Sequence, residues 1–166
     1  MYRSLLALAL AGALTTAWGQ VPYGEPDWKE VEAPPPPALR TQGLIEIEVA
    51  GSSLRFGVDP DSISVGADSI VRYVVVASSG TGTVNGIYEG IRCNSGEVKV
   101  YARHNPDSGW VPTRNSEWQA LRTAPNSRYS LAIARSGVCD SRSPNGSVAK
   151  IIRDLRAPAD RRYETY

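Results

Sequence analysis

The sequence predicts an α+β fold: a curved antiparallel β-sheet of five or six strands, with a partly open barrel as its more closed variant, one or two C-terminal helices and one disulfide. Three observations carry this. Apolar residues alternate with period two between residues 44 and 105, broken by turn residues and never by a helical pattern, so the strands join as hairpins. A 3.6-residue apolar period appears only towards the C-terminus. The chain has two cysteines, one in the strand region and one among the predicted helices.

The first element is not part of that fold. Residues 1–19 have Arg3 followed by an apolar run from Leu5 to Leu14. Ala17 and Gly19 are the small residues ahead of a cut between Gly19 and Gln20, the pattern of a secretory signal peptide. The run is too short to cross about 30 Å of hydrocarbon at about 1.5 Å per residue. No cysteine lies beside the cut, so a lipid anchor of the lipoprotein type is not expected there. No later segment is apolar enough to be a transmembrane segment. The mature chain is therefore expected to be exported and soluble.

Export sets the reading of the cysteines. In an oxidising compartment two cysteines make one bridge, Cys93–Cys139. A loop of that length stabilises a fold by about 4 kcal/mol through lost chain entropy.

Residues 20–43 read as a proline-rich leader. Four consecutive prolines in "APPPPALR" favour polyproline II and cannot enter a helix or a sheet centre. A stiff spacer is the expected role. The sequence leaves open whether Trp28 docks back.

The globular domain is placed at 44–157. "LIEIEVAG" sets Ile45, Ile47 and Val49 against Glu46 and Glu48, and "SLRFGVD" sets Leu54, Phe56 and Val58 against Arg55 and Gly57. Together they form a hairpin. Ile63 and Val65 are expected under the sheet. "IVRYVVVAS", Ile70 to Ser78, is rich in β-branched residues and is the strongest strand. In "IYEGIRC", Ile87, Glu89, Ile91 and Cys93 share one face, with Tyr88, Gly90 and Arg92 on the other. Gly96 closes a tight turn. "EVKVYARHN" then returns with Val98, Val100 and Ala102 on one face. "NPDSGWVPTRNSEWQAL" reads as a loop. Tyr129, Ala132 and Ile133 fall at helical spacing behind Asn126 or Ser127 as cap, with Gly137 as the stop and a strand as the alternative. Val148, Ile151, Ile152 and Leu155 form an apolar helical stripe capped by Ser147. Residues 158–166 are a charged tail.

Composition excludes several functions. Hydrophobic residues are 42%, charged residues 21% and net charge +1, so no basic excess points to nucleic acid. The single histidine, His104, ends a strand beside turn residues and reads as a solvated turn histidine. No G-x-S-x-G elbow accompanies the serines. No metal site is expected: Asp59, Asp61 and Asp68 lack calcium-loop spacing, and both cysteines belong to the bridge. "SSGTGTVNG" lacks a following GK[ST], so no phosphate cofactor is expected, nor any other cofactor. No catalytic residue is assigned. Glu89 is the one carboxylate on an apolar strand face. It reads first as the ion partner of Arg72 or Arg92, with a bulge near Gly86 or Gly90 able to turn it outward, and second as a buried acid. Trp110 and Trp118 serve either as lids on the core or, with Arg114, as an exposed binding surface.

Trp28-Lys-Glu, "SISVGADSIVRYVVV" at Ser62 to Val76, "YEGIRC" at Tyr88 to Cys93, "NSEW" at Asn115 to Trp118, and Cys139 followed by a helix occur in an order that resembles the family named after cryptic neisserial protein one. The resemblance covers Trp28 to Leu155. It implies an exported envelope protein of a Gram-negative bacterium, and the missing lipobox cysteine implies the soluble periplasm. A more limited likeness, in "DPDSI", the following long strand and the placing of both cysteines, is to surface adhesin protein E, which implies an antiparallel sheet with helix on one side.

These readings point to a periplasmic, non-catalytic binding or protein-interaction module whose partner is an envelope protein or ligand. The alternative is a structural component of a larger envelope complex, with the prolines and Lys150, Arg153 and Arg156 as handles. A hydrolase-like enzyme using carboxylates such as Glu89 comes last.

Overall fold

The β-branched run expected as the strongest strand forms the centre of the sheet. The computed structural model describes residues 28–114, 116–124 and 127–157. The Gly19–Gln20 cut, Asn126 as cap and the tail at 158–166 lie outside these residues. The strands are β1 (Ile45–Ile47), β2 (Arg55–Val58), β3 (Ser64–Val65), β4 (Ile70–Ser78), β5 (Val84–Arg92), β6 (Glu97–Asn105), β7 (Gly109–Pro112) and β8 (Gln119–Ala120). They form one antiparallel sheet in the order β1-β2-β4-β5-β6-β7, with β3 on β4 and β8 on β6. Among the described residues its end strands β1 and β7 do not pair with each other, so the sheet is open.

The helical layer follows. Helix α1 (Arg128–Ile133) runs into a π-helical turn over Ala134–Val138, then a small hairpin of β9 (Cys139–Asp140) and β10 (Ser143–Pro144), then helix α2 (Val148–Arg156). Ser147 Oγ caps α2 by accepting from the Lys150 amide at 3.2 Å. In α2, Ile151 and Leu155 are buried, with Val148 and Ile152 packed alongside. At the π turn Gly137 has φ 155°, and its Cα faces the α2 backbone: a Cβ there would lie 2.9 Å from the carbonyl carbon of Asp154.

Period-two alternation gives the sheet two buried faces. Val71, Tyr73, Val75, Ile87 and Ile91 pack under the helices with Ile133, Val138 and Ile151. The Cys93–Cys139 disulfide joins the end of β5 to the start of β9, with Cα atoms 5.7 Å apart. Val74, Val76, Tyr88 and Ala102 make a second cluster on the opposite face.

That second face is covered by the segment expected to be a spacer. Glu30, Ala33, Pro36 and Leu39 are half-buried, while the residues between them are exposed. This spacing of three is the repeat of a polyproline II helix, which turns one row of side chains onto the sheet. The segment starts at the Arg92 end of β5, where the guanidinium lies 3.6 Å from the Trp28 ring centre. It ends at Gly86, where a Cβ would lie 2.5 Å from Leu39 Cδ1. Proline's missing N–H keeps it out of the sheet but not off the sheet.

Other expectations change as well. Val65 is exposed, since it sits on a two-residue strand at the rim. The loop after residue 105 turns back as β7, so His104 lies within paired strand, edge-on to Trp110 at 5.3 Å. Ala102 does not share a face with Val98 and Val100. Tyr88 pairs with Ala102 but Glu89 pairs with Val100, so Tyr101 is an extra residue in β6. This β-bulge puts Tyr101 and Ala102 on the face carrying the polyproline segment. Beyond it the alternation is inverted, and Arg103, paired with Ile87, falls on the helix-side face.

Candidate functional site

Glu89 lies in the middle of β5 on the helix-side face and is fully buried. Tyr73, directly opposite on β4, donates its hydroxyl to Oε1 at 2.6 Å. Tyr129, on α1, donates to Oε2 at 2.9 Å and stacks on Phe56 with ring centres 4.8 Å apart. Burial raises the Glu89 pKa; the hydroxyls of Tyr73, Tyr129 and Ser130 and the charge of Arg103 lower it, and burial prevails. Tyr73 and Tyr129 are both raised by burial and by the neighbouring Glu89 charge, so both remain neutral donors.

Neither arginine expected as partner is there. Arg72 and Arg92 lie on the other face, as alternation requires: Arg72 pairs across the sheet with Gly90, and Arg92 flanks Trp28. The bulge that matters is in β6, and Glu89 stays inside.

Glu89 forms part of the wall of a cavity of about 170 Å³ between β6, the 113–119 segment and α1. Val98 and Val100 supply its apolar wall; Arg103, Glu117, Thr113 and Ser130 supply polar groups. Thr113 Oγ1 is shut off from solvent and has no hydrogen-bond partner among the described residues. Arg103, turned to this side by the bulge, makes no ion pair among the described residues. The cavity can hold a small polar molecule beside the guanidinium of Arg103, over a carboxyl that is itself sealed beneath the tyrosine hydroxyls.

The tryptophans go elsewhere. Trp110 Nε1 donates to the Pro37 carbonyl at 2.7 Å, and Trp118 Nε1 donates to Glu30 Oε2 at 3.1 Å. Both are half-buried and hold the polyproline segment, while Arg114 is exposed. Glu30 also accepts from Lys99 and Tyr101, each at 2.9 Å. Asp68 forms a buried pair with Arg72 at 2.7 Å and accepts from the Val31 amide at 2.9 Å. In α2, Lys150 and Arg153 both bond Asp154.

Sequence reasoning found Glu89 and missed Tyr73, Tyr129, Arg103 and Thr113. Alternation did place Tyr73 on the inner face of its strand. Arg103 carries no such signal, because the alternation reads straight through the bulge.

The fold and cavity define a class: an open antiparallel sheet covered by helices on one face and a polyproline segment on the other, stapled by one disulfide. The chain belongs to the CNP1-like family, whose sequence profile matches residues 24–156. No curated protein and no solved structure matches the chain. No helix among the described residues is long and apolar enough to cross a membrane.

Proposed function

We propose that this protein is an exported, non-catalytic binding module of the bacterial cell envelope that takes a small polar solute in the Glu89 cavity. One observation carries the reading: a cavity of about 170 Å³, with Val98 and Val100 as its apolar wall and Arg103, Ser116 and Glu117 as polar groups, lies beside a fully buried carboxyl clamped by two tyrosine hydroxyls. A concave site with an apolar wall and a few convergent polar groups is the usual form of a small-molecule site. The disulfide supports export to an oxidising compartment such as the periplasm. The tyrosines favour binding over catalysis, because they stay protonated through neutral pH and act as fixed donors. A purely structural role in a larger complex has less support, since the prolines lie on the sheet and Lys150 and Arg153 are engaged within α2.

The test is native mass spectrometry of the protein isolated from the envelope fraction. The expected species starts at Gln20, carries one bridge and retains a small solute that Glu89→Gln loses. An uncut N-terminus overturns export. A solute retained equally by both proteins, or by neither, overturns the cavity reading.

A further inference from the structure

The sheet face away from the helices holds the leader through side chains. Among the described residues no main-chain to main-chain hydrogen bond ties 28–40 to a strand. The Glu30 carboxylate accepts from Lys99, Tyr101 and Trp118, at 2.9, 2.9 and 3.1 Å. The Asp68–Arg72 pair grips the peptide unit of Val31 from both sides: Asp68 accepts from its N–H and Arg72 donates to its carbonyl, each at 2.9 Å. The Val31 side chain itself is exposed. Trp110 donates to the Pro37 carbonyl at 2.7 Å, and Leu39 occupies the space that Gly86 leaves free. Tyr88 and Tyr101, with ring centres 5.5 Å apart, lie on the same face. Aromatic-lined grooves are the usual receptors of proline-rich peptides, whose polyproline II form is already ordered before it docks.

We propose that this face is a recognition groove for polyproline II segments, filled in cis by the leader, and that its partner is a proline-rich segment of another protein. That segment carries the same anchors: a carboxylate in the place of Glu30, prolines in the places of Pro36 and Pro37, and an apolar side chain in the place of Leu39. The contacts to Val31 and Pro37 are made to the main chain, so they accept other sequences, while Glu30 and Leu39 set which sequences fit. The leader lies outside the strand ladder and outside the Cys93–Cys139 bridge, so its departure breaks neither. What it covers is apolar: Val74, Val76, Tyr88 and Ala102. A bare patch of that kind is a docking surface, so one polyproline segment leaving makes room for another. Tethering holds the leader at an effective concentration of about millimolar. It therefore acts as a cover, and a rival gains the groove when the leader's own anchors are loosened.

The experiment is fluorescence anisotropy of a labelled peptide of residues 28–40, titrated with the full mature chain carrying Glu30→Ala and Leu39→Ala together. The peptide is expected to bind this double variant at least tenfold more tightly than wild type, whose groove is filled. Glu30→Gln or Leu39→Ala in the peptide is expected to weaken binding at least tenfold. Trp110→Phe added to the double variant keeps a ring but removes the N–H, and is expected to weaken it about fivefold. A folded double variant that leaves the peptide unbound overturns the proposal. So does equal binding to wild type, or equal binding of a shuffled peptide of the same composition. If the double variant does not fold, hydrogen exchange of the wild-type chain decides. A Val31 amide exchanging at least a hundredfold faster than the amides of Ile70–Ser78 supports a separable leader, and equal rates overturn it. Failure here leaves the Glu89 cavity untouched, since that cavity lies on the opposite face of the sheet.

Discussion

Tyr129 and Glu89 join helix to sheet through a half-buried hydrogen bond of 2.9 Å, from the Tyr129 hydroxyl on α1 to the carboxyl on β5. Tyr73 adds a bond from the neighbouring strand, and Ser130 a second from α1. The helical layer is therefore fixed at this point by a polar contact inside an otherwise apolar packing. Tyr129→Phe removes the donor and leaves the ring on Phe56. It is expected to lower unfolding free energy by about 1–2 kcal/mol. In a double-mutant cycle with Glu89→Gln the two losses should not add, as measured by urea unfolding; additivity would show that the contact contributes nothing.

Glu89 should also give stability a distinctive pH slope. Its folded pKa is raised above the ordinary 4.5. As pH rises past that value the unfolded chain releases a proton that the fold retains, so this group's contribution falls until the folded pKa is passed. Glu89→Gln should remove this slope. The check is a comparison of melting temperatures from pH 4 to pH 8; parallel curves for the two proteins would refute the assignment.

The polyproline segment should respond to acid with the opposite sign. Burial raises the pKa of Glu30, but the bonds from Lys99, Tyr101 and Trp118 outweigh it, and the net value is below the ordinary 4.5. Burial likewise raises that of Asp68, and the bonds from Arg72, Val31 and Ile70 bring it below 3.8. Both contributions are complete above those ordinary values and are lost as pH falls through the folded ones. Tryptophan fluorescence from Trp28 and Trp118 is expected to shift below about pH 4, and Glu30→Gln should weaken that transition.

Gly137→Ala should be among the most damaging single changes. The residue has φ 155° and has the backbone of Asp154 and Leu155 within 2.9 Å of a built Cβ. Backbone cannot yield as a side-chain tip can, so α2 must move off the π turn. A loss above about 2 kcal/mol is expected, combining strained backbone and disturbed packing. A thermal midpoint within a degree of wild type would contradict this.

Reduction of the bridge offers a further check. The two cysteines are 46 residues apart in sequence. In the chain-entropy account, cutting that loop costs about 4 kcal/mol. The urea midpoint with reductant should fall accordingly, and an unchanged midpoint would mean that the bridge adds nothing.

The strands were legible because alternation is a local signal: Ile70–Ser78 and Glu97–Asn105 fall where the sequence puts them. The inner position of Glu89 was legible between Ile87 and Ile91. Its partners were not, because Tyr129 comes from an element 40 residues away and its approach is set by helix packing. The same local signal already argued against Arg92, which alternation puts on the opposite face. The docked leader hid behind a sound rule about proline. Period three at Glu30, Ala33, Pro36 and Leu39 was present in the sequence, but the flat track that receives it is made by Gly86 on another strand. The bulge at Tyr101 was not legible, since Val98, Val100 and Ala102 carry the period of two straight across it.

That bulge gives the gene an unusual kind of tolerance. Side chains in β6 are assigned to one surface or the other by counting, and Tyr101 is the odd unit in the count. An in-frame deletion of the Tyr101 codon would make the Val100–Glu89 and Ala102–Tyr88 pairs consecutive and restore perfect alternation. Ala102, Arg103 and His104 would keep the surfaces they have now, and the loss would be confined to the Tyr101 ring and its bond to Glu30. Losing a neighbour of Tyr101 while the bulge closes elsewhere would be no different for the residues beyond it, so the odd unit acts as slack in the strand.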